Sequence, residues 1–321
     1  MNMMRGLLIL FLLLAAMPAH ARFGENPDAW LKQMETALET INYRGTFVYI
    51  HDEQAETMRV FHRVGPDGTR ERLISLNGSA REVLRDDDQV KCILPDDKAV
   101  FVEKRHDRGT VARGIPLNAA RNTEHYEFQL LGTGRIAGRS SRLVAINPRD
   151  GLRYGYRLWL DEETGLPLRS ELVNNDGQPI EKMMFTEIEI GVEIDDELLL
   201  PSVSGDGFKW HVRSAEKETV LQNTSPVRFE ALPAGYRIVR TEARTEGEQP
   251  SYHLVLSDGL ASVSVFAEPL QEGKPALAGL SRIGAVNAFG VRLPEHHVTI
   301  VGEVPEATVA AIAEAVSLTG K

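Results

Sequence analysis

Apolar positions in this 321-residue chain recur with two different spacings, and each predicts its own kind of element. Near the N-terminus, Trp30, Met34, Leu38 and Ile41 form one apolar face at helical spacing. Asn26 is a capping residue, Pro27 suits the first helical position and Asp28 complements the positive helix start. The pattern predicts a helix that stops before Arg44-Gly45. Alternation then takes over. Strands are predicted over Thr46–Ile50, Met58–Val64, Glu71–Leu76, Arg81–Arg85, Val90–Leu94 and Ala99–Lys104, with turn chemistry at Pro66-Asp67-Gly68 and Asn77-Gly78. Charged residues without periodicity fill 105–122, and strands resume over Tyr126–Leu131, Arg135–Ile146, Arg153–Asp161, Leu166–Leu172 and Lys182–Ile190. Such spacing is that of an antiparallel meander, so the expected class is α+β, with a leading helix packed on a broad sheet curved into a half-barrel.

The acidic run Glu193–Glu197 and the Ser/Gly-rich stretch Ser202–Gly207 break this order, and 201–225 reads as a linker between a domain at 22–200 and one at 226–321. The second domain shows strands at Tyr236–Arg240, Tyr252–Leu256, Ala261–Ala267, Ile283–Phe289 and His297–Val301. Its closing helix opens at Pro305-Glu306 and buries Val309, Ile312, Ala313 and Val316. That makes it a smaller α+β unit.

The apolar run Leu7–Ala16 follows the basic Arg5 and precedes Ala19-His20-Ala21, a small-x-small site. This is the layout of a cleavable signal peptide over residues 1–21, too short for a span of about 20 residues. Export is therefore expected. Removing that segment takes one Arg from the 36 Lys and Arg, so the formal charge becomes 35 − 46 = −11. An acidic surface argues against a nucleic-acid binder. Cys92, the single cysteine, excludes an intrachain disulfide; its place in Val90-Lys91-Cys92-Ile93-Leu94 suggests a small buried hydrophobe.

The search for catalytic chemistry finds no His-Glu-x-x-His, Gly-x-Ser-x-Gly or Cys-x-x-Cys. His296-His297 point to opposite faces of a strand. Asp86-Asp87-Asp88 lacks the ligand spacing of a calcium loop and reads as a solvated turn. Gly132-Thr133-Gly134 through Gly138 lies between strands, which favours a bend or bulge over a nucleotide loop. Neither a metal, a cofactor nor an enzymatic activity is expected.

Two features rise above this background. Between 104 and 121 there are five Lys or Arg and one acid, and Lys104, Arg105, Arg108 and Arg113 are candidates for meeting an anionic headgroup or an acidic peptide; a solvated loop is the alternative. Aromatic and apolar residues also alternate on the meander, notably Phe47, Tyr49, Phe61, Phe101, Tyr154, Tyr156 and Leu158. They are either a filled core or the lining of an acyl-chain cavity, and the pattern fits both.

Trp30-Leu31-x-x-Met34, Asn42-Tyr43-x-Gly45-Thr46-Phe47-Val48-Tyr49, Met58-Arg59-x-x-His62-Arg63 and Tyr154-Gly155-Tyr156-Arg157-Leu158-Trp159-Leu160-Asp161 together resemble the MucB/RseB family. Looser matches continue through Leu232-Pro233-x-Gly235-Tyr236, Ser257–Phe266 and Val301–Pro305. The resemblance implies a periplasmic, non-enzymatic regulator of the sigma-E envelope-stress response, with a LolA-like N-terminal domain. It implies binding to the periplasmic part of an RseA/MucA-type anti-sigma factor, protection of that partner from proteolysis, and release by lipid or lipopolysaccharide. It places the grip on the partner in the C-terminal domain, where Tyr236, Phe266, Arg282 and Phe289 are the candidate contacts. A lipid or lipoprotein carrier of LolA type is the alternative, and a homo-oligomer is compatible with either.

Overall fold

The computed structural model describes residues 26–66, 68–104, 124–213, 218–220, 225–244, 250–271 and 276–318. The signal-peptide reading and most of the basic loop, including Arg105, Arg108 and Arg113, fall outside them. Helix α1 (Pro27–Thr40) starts as its sequence dictates: the Asn26 side chain accepts from the Asp28 amide at 3.0 Å, with Pro27 in the first turn.

Twelve strands follow in one sheet. They are β1 (Tyr43–His51), β2 (Gln54–Gly65), β3 (Gly68–Ser75), β4 (Glu82–Arg85), β5 (Gln89–Leu94), β6 (Ala99–Lys104), β7 (Tyr126–Ile136), β8 (Arg139–Pro148), β9 (Gly155–Asp161), β10 (Pro167–Val173), β11 (Pro179–Ile190) and β12 (Lys209–Arg213). Their order is β12-β6-β5-β4-β3-β2-β1-β11-β10-β9-β8-β7, two meanders joined where β1 pairs with β11. All pairings are antiparallel except β12 on β6. That strand corrects the linker reading: Trp210 and its neighbours return to the first sheet, so only part of 201–225 is irregular.

The smaller domain carries β13 (Glu218–Val220), β14 (Val227–Phe229), β15 (Arg237–Arg244), β16 (Ser251–Ser257), β17 (Ser262–Pro269), β18 (Gly279–Ile283), β19 (Val286–Arg292), β20 (His296–Gly302), α2 (Glu306–Ala315) and β21 (Val316–Leu318). Seven of these strands form a sheet in the order β13-β15-β16-β17-β20-β19-β18, while β14 pairs with β21. Val309, Ile312 and Val316 complete its core, as their spacing predicts. The run Ile283–Phe289 is not one strand but a hairpin, because Gly284 takes a left-handed φ of +61° and turns the chain. The glycine run after Leu131 behaves as read: the β7–β8 register shifts between Leu130 and Gly132, and Ala137-Gly138 form the turn. Asp86 is a turn residue whose carboxylate accepts from the amides of Asp88 and Gln89. Cys92 is only half-buried, beside Phe101 across the β5–β6 ladder.

Candidate functional site at the domain junction

One face of the twelve-stranded sheet is apolar and covered from two directions. From the N-terminal side, α1 lays Trp30, Leu31, Met34, Ala37 and Leu38 onto the cluster that contains Phe47, Val144, Ile146, Tyr156 and Leu158. Gln33 fixes the helix further by donating to the Thr164 carbonyl at 3.1 Å. From the other side, Ala285 at the tip of the β18–β19 hairpin is wholly buried in the same cluster, and Leu260 of the β16–β17 turn packs against it.

The structure brings five of the seven predicted lipid residues together. Phe47, Tyr154, Tyr156 and Leu158 belong to that cluster and Tyr49 packs on its margin. Phe101 is set apart, half-exposed near the β12 edge and stacked on His211 at 4.6 Å. Phe61 is set on the opposite face of β2, packed with Ile194 and Leu199. It shares no lining with the others, because both faces of β2 are buried there and alternation alone does not say which way it points.

The polar centre of the junction is the loop between β8 and β9, and its Arg153 was not anticipated. Its side chain is fully buried, with 0% exposure. The Arg153 Nε donates to Asp258 Oδ2 at 2.6 Å, and the other guanidinium nitrogens bond Asp150 and the Ala234 carbonyl. Tyr126 donates its hydroxyl to the same Asp258 oxygen at 3.0 Å, while the Tyr236 ring lies 5.1 Å from the guanidinium carbon. The second Asp258 oxygen accepts from the amides of Leu260 and Ala261, each at 2.8 Å, which shapes the turn that carries Leu260.

Two further side chains of the C-terminal domain clamp the loop. Asn287 donates to the Tyr154 hydroxyl at 3.1 Å and to the Val304 carbonyl at 2.8 Å. Thr308 donates to the Leu152 carbonyl at 2.7 Å. Gly235 has a left-handed φ of +85°, and a Cβ there would sit 2.2 Å from His125 Nε2, so only glycine allows this approach.

A buried cation of this kind persists only when paired and hydrogen-bonded. Burial alone would lower the Arg153 pKa, but its hydrogen bonds to Asp258 and Asp150 outweigh that and hold it above the ordinary value. Burial, helped by the Asp258 charge, pushes the Tyr126 and Tyr236 hydroxyls well up, so both rings stay neutral. The arrangement is a charged lock between domains. Ser264 Oγ and His253 Nε2 are 3.0 Å apart, but Glu242 is 3.8 Å from His253 Nδ1, beyond hydrogen-bond reach, and is paired with Arg240. Among the described residues, no three His, Cys, Asp or Glu are grouped to hold a metal.

Comparison with known proteins fits this two-domain layout. Residues 26–203 match the MucB/RseB N-terminal domain and residues 222–317 the MucB/RseB C-terminal domain. The chain belongs to the MucB/RseB family. It is 33% identical to the sigma factor AlgU regulatory protein MucB of Pseudomonas aeruginosa, over 97% of this chain and 96% of that one. It is 26% identical to the sigma-E factor regulatory protein RseB of Escherichia coli K12, over 89% of each. The crystal structure of MucB in complex with MucA(peri) superposes with a TM-score of 0.70 at 29% identity, covering 92% of this chain and 100% of that one.

Within this MucB/RseB member, the C-terminal runs that carried the resemblance now have a place. Gly235-Tyr236 and Asp258 meet Arg153 of the β8–β9 loop, Leu260 packs on the N-terminal cluster, and Val304 lies in the C-terminal core, its carbonyl accepting from Asn287. Of the candidate partner contacts, Tyr236 is buried beneath Arg153, and Phe289 packs into the C-terminal core. Phe266 is stacked on His253 at 4.3 Å. Arg282 is exposed, with its Nε donating to the Gly284 carbonyl. Lys104 is exposed at the end of β6.

Proposed function

We propose that this protein is a periplasmic negative regulator of a sigma-E-type envelope-stress response. It binds the periplasmic part of a membrane-spanning anti-sigma factor of the RseA/MucA type and shields it from the protease that would begin its destruction. The observation that carries this reading is the nearly full-length match to MucB, a protein whose crystal structure holds the periplasmic part of MucA. Both domains are matched, so the reading does not rest on the N-terminal fold alone. The exported location rests on the apolar leader ending at Ala21.

Lipid or lipopolysaccharide is the releasing signal in this reading. Acyl chains would take the apolar face formed by Phe47, Tyr49, Tyr154, Tyr156 and Leu158, and Lys104, Arg105, Arg108 and Arg113 would meet the phosphates. A ligand shifts the regulator only by its differential affinity for the partner-free state. Tyr236 acts on the partner through domain pose, being buried, whereas Arg282 is free to meet it directly.

The test is fluorescence anisotropy of the labelled periplasmic segment of the host's anti-sigma factor, titrated with residues 22–321, with and without lipopolysaccharide. Binding that lipopolysaccharide reverses is expected. Binding indifferent to it removes the trigger and keeps the regulator. Failure to bind, together with lipid uptake, replaces the regulator by a carrier of LolA type.

A further inference from the structure

The apolar cluster of the N-terminal domain leaves its candidate lipid residues buried: Tyr154 and Tyr156 are each 8% exposed and Leu158 is 0% exposed. No hydrocarbon chain reaches them until something that covers them moves. Two covers exist, and they differ in how much holds them. Helix α1 contributes five buried side chains, is pinned by Gln33, and runs into β1 within three residues. The C-terminal domain contributes Ala285 and the half-buried Leu260, small apolar contacts carried on two turns. The second cover gives way first, because far less apolar surface is lost.

What keeps it down is polar. Asp258 leaves with the C-terminal domain, while Arg153 stays with the N-terminal domain and keeps Asp150 as a partner. Asn287 and Tyr154, and Thr308 and Leu152, separate with it. Arg153 is thus never left as an isolated buried charge when the domains part.

We propose that the turn bearing Leu260 and the hairpin tip bearing Ala285 are a built-in plug on the apolar face, held down by the Arg153–Asp258 lock, so that a long-chain amphiphile and the docked C-terminal domain exclude each other. This rests on the lipid half of the function proposed above and gives it a coupling route: occupancy changes the domain pose, and the pose changes the surface offered to the anti-sigma factor. No separate lid is required.

The test locks the plug. A Cβ built on Gly284 lies 3.0 Å from Asp52 Oδ2 and 3.7 Å from its Cγ, so Asp52→Cys with Gly284→Cys, in a Cys92→Ser background, brings two thiols together across the junction. Comparing oxidised with reduced forms of this one protein cancels the strain a side chain adds at the left-handed φ of residue 284. The probe is 1-N-phenylnaphthylamine, an apolar fluorophore, followed by a dansyl-labelled fatty acid. The oxidised protein should bind each on the order of tenfold more weakly than the same protein after reduction, the range of an ordinary coupling between sites. Asp258→Asn, which loosens the lock without cross-linking, should bind more tightly than the parent chain. Equal binding by oxidised and reduced forms, or unchanged binding by Asp258→Asn, overturns the plug. If the parent, the reduced form and Asp258→Asn all fail to bind either probe, both the plug and the lipid trigger fall. Binding of the anti-sigma segment is read separately, and decides the partner half of the proposed function whatever the probes do.

Discussion

Helix α1 and the C-terminal domain press on the same apolar cluster with opposite chemistry. The helix does it with Trp30, Leu31, Met34 and Leu38, all buried and all apolar. The C-terminal domain brings little hydrocarbon but a buried aspartate, an amide and a hydroxyl, each matched to one loop. Apolar burial of four large side chains is worth on the order of 6–12 kcal/mol as an upper bound. Buried ion pairs give little net stability over an apolar replacement, yet they specify one geometry, and removing one partner is costly. The helix is thus part of the domain, whereas the junction is a separable interface with a defined closed pose.

Removing Asp258 should break that contrast most severely. Asp258→Ala leaves Arg153 buried with one carboxylate instead of two, and the Tyr126 hydroxyl without its acceptor. A loss of about 3–5 kcal/mol in docking free energy is expected. In urea, a domain pair that unfolds together should resolve into two transitions, and small-angle scattering should show a larger radius of gyration. A single unchanged transition would mean that the lock does not couple the domains.

Leu31→Ala should act on the other side of the comparison. Leu31 is 0% exposed on the underside of α1, so its truncation costs about 2–5 kcal/mol. That loss belongs to the N-terminal domain: its unfolding midpoint falls, while scattering of the native protein stays as in the parent. A variant that opened the domains instead would show that α1 and the junction are one cooperative cover.

The two covers were not equally legible in the sequence. The apolar face of α1 is written in its spacing, because a helix shows its buried stripe every three or four residues. The meander is written in alternation and in its turn residues, and the structure keeps nearly every strand the pattern predicts. The errors have local causes. Ile283–Phe289 alternates well enough to pass for one strand, and nothing in the composition reveals that Gly284 turns. The β12 strand hides behind Ser202–Gly207, since strand pairing depends on a partner a hundred residues away.

The junction was the least legible of all. A charged residue in a strand-like run is ordinarily solvated, so Arg153 reads as surface. Only a resemblance marked the neighbourhood, through Gly235-Tyr236 and Asp258–Leu260, and it marked the segments without their chemistry. Tyr154 and Tyr156 were found by alternation as apolar candidates, but the bond from Asn287 to the Tyr154 hydroxyl depends on a residue 133 positions away.

The smallest expected effect separates the two covers by pH. Tyr126, Tyr156 and Tyr236 have hydroxyl pKa values raised first by burial, then by nearby carboxylates. In the unfolded chain a tyrosine titrates near pH 10. Between that value and the higher folded-state pKa, the native protein binds more protons than the unfolded one. Stability contributed by these rings is therefore fully present below about pH 10 and is lost as pH rises above it. Tyr126 and Tyr236 sit at the lock, and α1 carries no tyrosine. Tyr126→Phe gives up one hydrogen bond, about 0.5–1.5 kcal/mol at neutral pH, and removes one of the groups that must ionise. Thermal melts of the parent and Tyr126→Phe from pH 7 to pH 11 should start apart and converge above about pH 10, as the parent loses what the variant no longer has to lose. Parallel curves would mean that the Tyr126 hydroxyl meets solvent in the native protein and that the lock around Asp258 is looser than its geometry.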